Sequence, residues 1–344
     1  MTVSANKTIV INKKISNTTY DEILPQEQAS GITFNNENML STGTIGDGSF
    51  VTNYIARAFR VRTTQLFFLK DTIYSVGGGS TPTIAFYRKY SLDNDEYFVD
   101  VSSYENTQRA YLLTNKGKLY DSTGLLVANY RNILGAKIFT GISYSSEDST
   151  DNPCVAVTYC SNGDPENLKG VSYNKTGSYT SFDYTIANDD LYGTTILDSV
   201  LWLFGRTKHY TLYLGKSNTN TTFNAESYPT VMGEFKFVQD NIVVGTKGFL
   251  ALKTSTLRAF NLVSNHVTSA VRIDAAYGGY LFNNTNKNIT YIRFFKDSVK
   301  NLNDLEINYT ITSVPKECFI FLIRYSSYVI GITQDGNVYK IIKG

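Results

Sequence analysis

Carboxylates at alternating positions can hold a cation or act as an acid–base pair, and this sequence carries two stretches of that kind. LDNDEYFVD (92–100) contains Asp93, Asp95, Glu96 and Asp100, and SSEDSTDN (145–152) contains Glu147, Asp148 and Asp151. A Ca²⁺ loop gathers oxygen ligands at alternating positions around a glycine that makes its sharp turn. Neither stretch has that glycine, so both are read as solvated loop charge. The paired carboxylates of glycoside hydrolysis would have to come from separate elements. Asp189, Asp190, Asp198 and Asp274 are available for such a pair, but no spacing selects them.

Histidine is limited to His209 and His266. His209 stands beside a polar turn and is expected to be exposed or packed rather than catalytic. There is no HExxH, no CxxC and no close histidine pair, so no zinc site is expected. A Cys–His nucleophile pair could only be assembled by the fold. VGGGS (76–80) is the strongest glycine cluster, and a phosphate cradle would need such glycines to lead into a helix N-terminus. Here TPTIAFYRKY follows, which has the character of a strand, so the glycines are read as a wide turn. Tyr87, Tyr90, Tyr97, Tyr210, Tyr213, Phe294 and Phe295, with Arg88 and Arg293, could form a stacking platform for sugars or nucleotides. Core and cross-strand packing is the expected use of these rings. The sequence therefore nominates no catalytic, cofactor-binding or metal-binding residue.

Composition narrows the class of protein. Charged residues make up 18% of the 344 positions, while hydrophobic residues make up 42%, enough for a large core. The net charge of +2 argues against a dedicated nucleic-acid binder, which needs a basic stripe to displace counterions from phosphate. The three cysteines, Cys154, Cys160 and Cys318, give no disulfide framework, although a local Cys154–Cys160 bridge stays open. No signal-peptide pattern and no apolar run of membrane-spanning length is read. The 26 Tyr and 20 Phe suit pleated, half-buried surfaces.

The elements that must position these residues are short strands. Helical periodicity is nearly absent, and what recurs is an apolar run, a polar turn and a second apolar run, the signal of a hairpin. VIGITQDGNVYKIIKG (329–344), YLLTNKGKLYDSTG (111–124) and IVVGTKGFLALKT (242–254) are three of them. The turns centre near residues 70, 116, 162, 206, 247, 286 and 335, at gaps of 46, 46, 44, 41, 39 and 49. A period in the forties, made of strands, predicts a β-propeller whose blades bury one another's faces. Seven blades fit, with six the alternative if the unit at 162 or 286 is not a blade. FKFVQD (235–240) and CFIFLIRY (318–325) outline further strands ahead of two of the hairpins. TIVINKKI (8–15) reads as one strand, and Ile9–Ile11 is the expected partner of the last blade, covering an edge that could otherwise pair with another chain.

The hairpins YLLTNKGKLYDSTG and VIGITQDGNVYKIIKG resemble those of irregular propellers, the tectonin and chromosome-condensation-regulator families, which share a turn-Gly-x-apolar-aromatic pattern. The Trp and His positions diagnostic of those families are missing. The single Trp is Trp202, and no Trp-Asp dipeptide of the WD40 repeat occurs. In its Asn-, Thr-, Tyr- and Gly-rich, charge-poor style, with a long polar arm ahead of the hairpins, the chain resembles bacteriophage virion proteins. Short-tailed phages build tail hubs or nozzles from rings of subunits that contain propellers. That resemblance implies a structural subunit of the hub, nozzle or tube, acting in assembly and in the DNA-ejection conduit. Its partners would be other virion subunits and copies of itself in a ring, with DNA passing non-specifically. It carries no motif residue by residue, and so no site.

The expectation is an all-β chain: a single β-propeller of about seven four-stranded blades over 61–344, preceded by a closing strand and extended arm over 1–60. It is expected to be no enzyme, to need no cofactor, to have no membrane segment, and to reside in a virion after synthesis in the host cytoplasm. Two alternatives come from other classes. One is a glycan-binding or host-receptor-binding propeller with aromatic and Asp/Asn side chains in its central funnel. The other is a propeller glycosidase, which requires convergent carboxylates.

Overall fold

The computed structural model describes residues 2–4, 7–11, 26–27, 56–77, 83–103, 109–145, 154–160, 169–174, 182–185, 190–197, 200–213, 223–228, 230, 232–239, 241–253, 256–261, 267–274, 279–284, 289–294, 305–311, 319–325, 328–333 and 338–343. Its strands form seven sheets, and consecutive strands within each sheet are neighbours. Five sheets have four strands, and the first and seventh have a fifth. Both units left open by the sequence, at 162 and 286, are four-stranded sheets, which removes the six-bladed alternative.

Each expected hairpin is the pair formed by the second and third strands of a sheet. Thr64–Leu69 turns at Lys70-Asp71 into Thr72–Gly77, and Ala110–Thr114 turns through Lys116-Gly117 into Lys118–Asp121. Tight hairpins need left-handed backbone, and Lys70 (φ 56°) and Gly117 (φ 85°) supply it. A Cβ at Gly117 would also lie 2.3 Å from Cε2 of Phe139, so the turn requires glycine for space as well. Cys154–Cys160 with Lys169–Asn174, Gly279–Asn284 with Ile289–Phe294, and Tyr328–Thr333 with Val338–Lys343 are antiparallel pairs of the same kind. Their turn residues lie outside the described residues.

The chain divides into two compact units. One comprises Tyr54–Ile73 and Tyr87–Asn261; the other comprises Met1–Asn53, Tyr74–Phe86 and Leu262–Gly344. In the first, the hydrophobic core is a succession of layers, each between one sheet and the next. Phe59, Leu66 and Phe68 meet Phe98, Ala110 and Leu112; Leu113 and Leu119 then meet Phe139, Ile142 and Val157. Ala156 meets Leu201 and Leu203, while Trp202 and Phe204 meet Phe235, Val243 and Leu250. Successive residues of a strand point to opposite faces. Leu112 and Leu113, or Leu201 and Trp202, therefore serve two different layers. This is why the second strands read as unbroken apolar runs rather than as alternation. Each buried Leu or Phe contributes roughly 1.5–3 kcal/mol by leaving water. One short helix, Tyr130–Leu134, follows the last strand of the second sheet and buries Tyr130 and Leu134 in the same layer as Phe139.

In the second unit, Val267–Asp274, Gly279–Asn284, Ile289–Phe294 and Leu305–Ile311 form one antiparallel sheet. Phe319–Tyr325, Tyr328–Thr333 and Val338–Lys343 begin another, to which Lys7–Ile11 adds in parallel. The expected partnership of Ile9–Ile11 with the last blade is present, with Ile9 opposite Ile341. Thr2–Ser4 pairs antiparallel with Thr83–Lys89, Val3 opposite Ile84. The stretch after VGGGS is the strand expected from its sequence, Thr83–Lys89, while residues 78–80 lie outside the described residues.

Candidate functional site

The first strands of the sheets share a feature that sets the site. In six of them the register slips by one residue at the same place: Phe98/Asp100, Phe139/Gly141, Leu191/Gly193, Phe235/Phe237, Val267/Ser269 and Phe319/Phe321. Such a β-bulge twists the strand and re-aims the residue after it. Asp100, Gly141, Gly193 and Phe237 thus occupy equivalent positions in the second to fifth sheets. Arg57 is their counterpart in the first, opposite Phe68 as Asp100 is opposite Leu113. The strands that carry them meet from sheet to sheet. A Cβ on Gly141 would lie 3.0 Å from Cα of Gly193, and one on Gly193 would lie 3.2 Å from Cζ of Phe235. The Arg57 guanidinium lies over the Phe237 ring at 5.7 Å, bringing the first strand of the first sheet to that of the fifth.

Side-chain hydrogen bonds tie the same strands together at the blade period. The Ile142 and Tyr144 N–H groups donate to Asp100 Oδ2 and Ser102 Oγ, each at 2.9 Å and 42 residues away. Thr140 Oγ1 donates to Leu191 O at 2.8 Å, and Ser143 Oγ to Thr194 Oγ1 at 3.1 Å, both across 51 residues. Asp100 also accepts from its neighbour Val101 N–H at 2.9 Å. Both carboxylate oxygens are therefore engaged by backbone, which makes Asp100 a bracket between sheets.

Asp100 and Arg57 keep some accessible surface, yet protein encloses them on most sides. Burial pushes the Asp100 carboxyl up to about 6, against the pull of Arg57 and the two backbone N–H donors. Burial also lowers Arg57 from the usual arginine range, with Asp100 opposing. A carboxyl titrating near neutrality is the property of a general base. Its two oxygens here hold fixed structural donors, so the geometry supplies an electrostatic joint between sheets.

The rest of LDNDEYFVD divides between solvent and core. Asp93 and Asp95 are exposed, as expected, but Glu96 is buried, contrary to the reading as solvated charge. It accepts from Thr114 Oγ1 at 2.7 Å, from Lys118 Nζ at 2.9 Å and from Asp93 N–H at 3.0 Å. Lys118 Nζ also reaches Asp93 Oδ2 at 2.7 Å. Burial opposes the charge on Lys118, but the bonds to Asp93 and Glu96 outweigh it and hold the ammonium above the usual lysine range. The hydrogen bond with Lys118 lowers Asp93 below its usual range. The loop is thereby pinned to the second sheet's hairpin, as it is by the Asn115 Nδ2 bond to Asp95 O at 3.0 Å and the Lys116 Nζ bond to Asn94 O. Among the described residues, no group of three or more His, Cys, Asp or Glu side chains is placed to hold a metal ion.

The other candidates are mostly packing. His209 is buried, its ring between Trp202 at 5.5 Å and Tyr228 at 5.7 Å, with Nε2 3.6 Å from the exposed Glu226 carboxylate. Burial depresses its pKa, with Glu226 opposing. Tyr90 is buried, donates to Asp121 O at 2.9 Å and meets Phe98 edge-on, and Tyr210 is core. Tyr87 and Tyr213 are exposed. Asp190 is buried at the entry to the fourth sheet. The Cys160 thiol donates to Leu191 O at 3.1 Å. Cys154 and Cys160 stand at opposite ends of one seven-residue strand, roughly 20 Å apart at the usual rise, so the open local bridge is not formed. His266, Asp189, Asp198, Cys318, Phe295 and the whole 146–151 stretch lie outside the described residues, as do the side chains of Asp274, Arg293 and Phe294. Asp121, which the sequence reading passed over, organises the turn after the second hairpin. Its Oδ1 accepts from Thr123 N–H at 2.9 Å, Thr123 Oγ1 at 2.6 Å and Leu125 N–H at 2.9 Å. Asp-Ser-Thr-Gly was a legible signal for that turn.

No family model matches the sequence, and no curated protein matches it. Solved structures do. The β-propeller domain of Cps50 (Swd1) from Myceliophteria thermophila superimposes with a TM-score of 0.56 at 9% identity, over 84% of this chain and 97% of that one. A chain of the mitotic checkpoint complex gives 0.54 at 11% identity, over 96% and 98%. The Pan2 WD40 domain of Neurospora crassa gives 0.53 at 8% identity, over 83% and 87%. At these identities the likeness is one of fold, and the fold is a β-propeller.

Proposed function

We propose that this propeller is a structural, non-catalytic subunit that works by binding other proteins, and that its setting is the tail hub, nozzle or tube of a short-tailed bacteriophage. The observation that carries the protein-binding part is the placement of large apolar side chains in solvent. Leu125 and Leu126 are 59% and 46% exposed at the turn into the second sheet's last strand, and Ile133 is 46% exposed on the helix that follows. Contiguous exposed apolar surface is characteristic of interaction sites, and these three side chains fall within nine residues of the chain. The interior charges favour the same reading, because Asp100, Glu96, Lys118 and Asp121 are committed to holding sheets and turns together. A propeller within a multi-protein assembly, as in the mitotic checkpoint complex, is a precedent by fold alone. The phage setting rests on composition: Asn-, Thr- and Tyr-rich, poor in charge, with a net charge of +2 that lets DNA pass without adhering.

Light scattering and negative-stain imaging of the purified protein at high concentration test the proposal. Closed rings, or co-purification with virus particles, are expected. A protein that stays monomeric at every concentration and enters no particle overturns it.

A further inference from the structure

The turn between the third and fourth strands of the second sheet holds two leucines in solvent on a fixed frame. Asp121 Oδ1 accepts from the Thr123 and Leu125 N–H groups, each at 2.9 Å, and Gly124 N–H donates to Asp121 O at 3.0 Å. Asp121 N–H closes the turn on Leu125 O at 2.9 Å, and the Tyr90 hydroxyl ties it to the end of Thr83–Lys89. Gly124 takes the left-handed backbone (φ 96°) that the reversal requires. The exposure of Leu125 and Leu126 is therefore built in. Side chains presented on a fixed turn lose little freedom on binding, which is the condition for an anchor.

Cations surround the pair. Arg88, exposed on Thr83–Lys89, lays its guanidinium against Gly124: a Cβ there would lie 2.9 Å from Nη1. Among the described residues no carboxylate pairs with it. Arg109, more than half exposed, reaches Asp121 Oδ2 at 3.5 Å. From Arg109 to Ile138 the chain carries five cations and one carboxylate, and that carboxylate, Asp121, is fully buried. Lys118 is answered by Asp93 and Glu96, so the surplus falls on the other four. The leucines thus stand in a field of one sign, which selects a partner of the other.

We infer that this turn docks a segment of another protein that carries a large apolar side chain beside carboxylates, the apolar group seated on Leu125 and Leu126 and a carboxylate on Arg88. A guanidinium takes a carboxylate through two parallel hydrogen bonds. The apolar contact supplies the binding, and the charges at its rim set partner choice and the rate of encounter. Nucleic acid fits the surface less well, since a phosphate backbone makes no use of the leucines and the chain's net charge is only +2. This inference rests on the reading of the chain as a protein-binding subunit and gives the chemistry of the partner.

A random-peptide library selected on the immobilised full-length protein tests it, with Leu126→Asp and Arg88→Glu as comparison proteins. Both positions are exposed, and circular dichroism with a melting curve checks that each variant folds as the parent does. The parent is expected to enrich peptides in which Leu, Ile, Phe or Trp lies beside Asp or Glu. A fluorescein-labelled synthetic peptide of that kind should bind each variant about tenfold more weakly or worse, and Arg88→Glu should regain binding when the peptide's carboxylates are exchanged for lysines. No enriched peptide, enrichment without acidic residues, or an acidic peptide bound equally by parent and variants overturns the inference. A labelled DNA duplex that the parent binds and Arg88→Glu does not, with no peptide selected, overturns it in favour of nucleic acid. If the protein forms rings or enters particles yet selects no acidic peptide, the docking falls and the protein-binding reading stands; if it does neither, both fall.

Discussion

His209 offers a sharp test of how the interior is built, because the only tryptophan of the chain reports on it. The imidazole is buried, stacked between Trp202 and Tyr228, and its Nδ1 has no hydrogen-bond partner. A buried polar atom without a partner costs about 1–3 kcal/mol. The 3.6 Å approach of Nε2 to Glu226 returns little, since that carboxylate is mostly in solvent. His209→Phe removes the orphaned nitrogen and keeps a ring in the stack, at the expense of some crowding. The variant is expected to be about 0.5–1.5 kcal/mol more stable than the parent at pH 7.5. The pH dependence follows from linkage. The folded state depresses the pKa of His209, so the unfolded chain binds the proton more readily. The stability contributed by the neutral ring is present above the unfolded value near 6.5 and is lost as pH falls through it, with a limiting slope of about 1.4 kcal/mol per pH unit. Urea unfolding followed by Trp202 fluorescence at pH 7.5, 6.5 and 5.5 measures both effects. The gap between variant and parent should widen towards acid. A variant less stable than the parent by more than about 2 kcal/mol at pH 7.5, or a gap that stays constant with pH, would refute the reasoning.

Two further predictions concern the carboxylates. Asp100 is expected to titrate at about 6 in a ¹³C NMR experiment, and Arg57→Met should move the midpoint higher by removing the neighbouring cation; a parent midpoint at 4 contradicts the enclosed site. Because the folded pKa lies above the unfolded one, Asp100 works against the histidine: it adds stability as pH falls from about 6 towards the unfolded carboxylate range. Glu96→Ala leaves the Thr114 hydroxyl and the Asp93 N–H without their acceptor and the Lys118 ammonium with Asp93 alone, and should destabilise by about 3 kcal/mol, at the low end for a broken buried pair because Lys118 is partly exposed and keeps that second carboxylate. Adding Lys118→Met should recover part of that loss in a double-mutant cycle, and strict additivity would show that the pair is not coupled.

The hairpins were legible because their signal is local. An apolar run, a turn residue able to adopt left-handed backbone and a second apolar run lie within about a dozen positions, and seven such copies at a period in the forties leave few architectures other than a propeller. The partner of Ile9–Ile11 was legible as well, from the need to cover an edge, although its parallel direction was not. The absent Trp-Asp signature did not bar the fold, since a WD40 domain shares it at 8% identity, and layers of Leu, Val and Phe are what the architecture requires. The site was poorly legible. LDNDEYFVD looked like one acidic loop, yet the chain sends Asp93 and Asp95 to solvent, Glu96 to a lysine and Asp100 to another sheet.

What the sequence determined by itself was the paired strands of the hairpins and the turns between them, all properties of a residue and its near neighbours, while the choice of seven units over six was made by the sheets. The tertiary structure alone decided that Asp100, Gly141, Gly193 and Phe237 are equivalents of one another and counterparts of Arg57, because a bulge in the first strands of the second to fifth sheets shifts the facing of every residue after it, while the strand of Arg57 pairs without one. It alone decided that Asp100 is a bracket rather than a loop charge. The N–H it holds belongs to Ile142, 42 residues away, and the two meet only after neighbouring sheets have stacked and excluded the water that would otherwise have solvated the carboxylate.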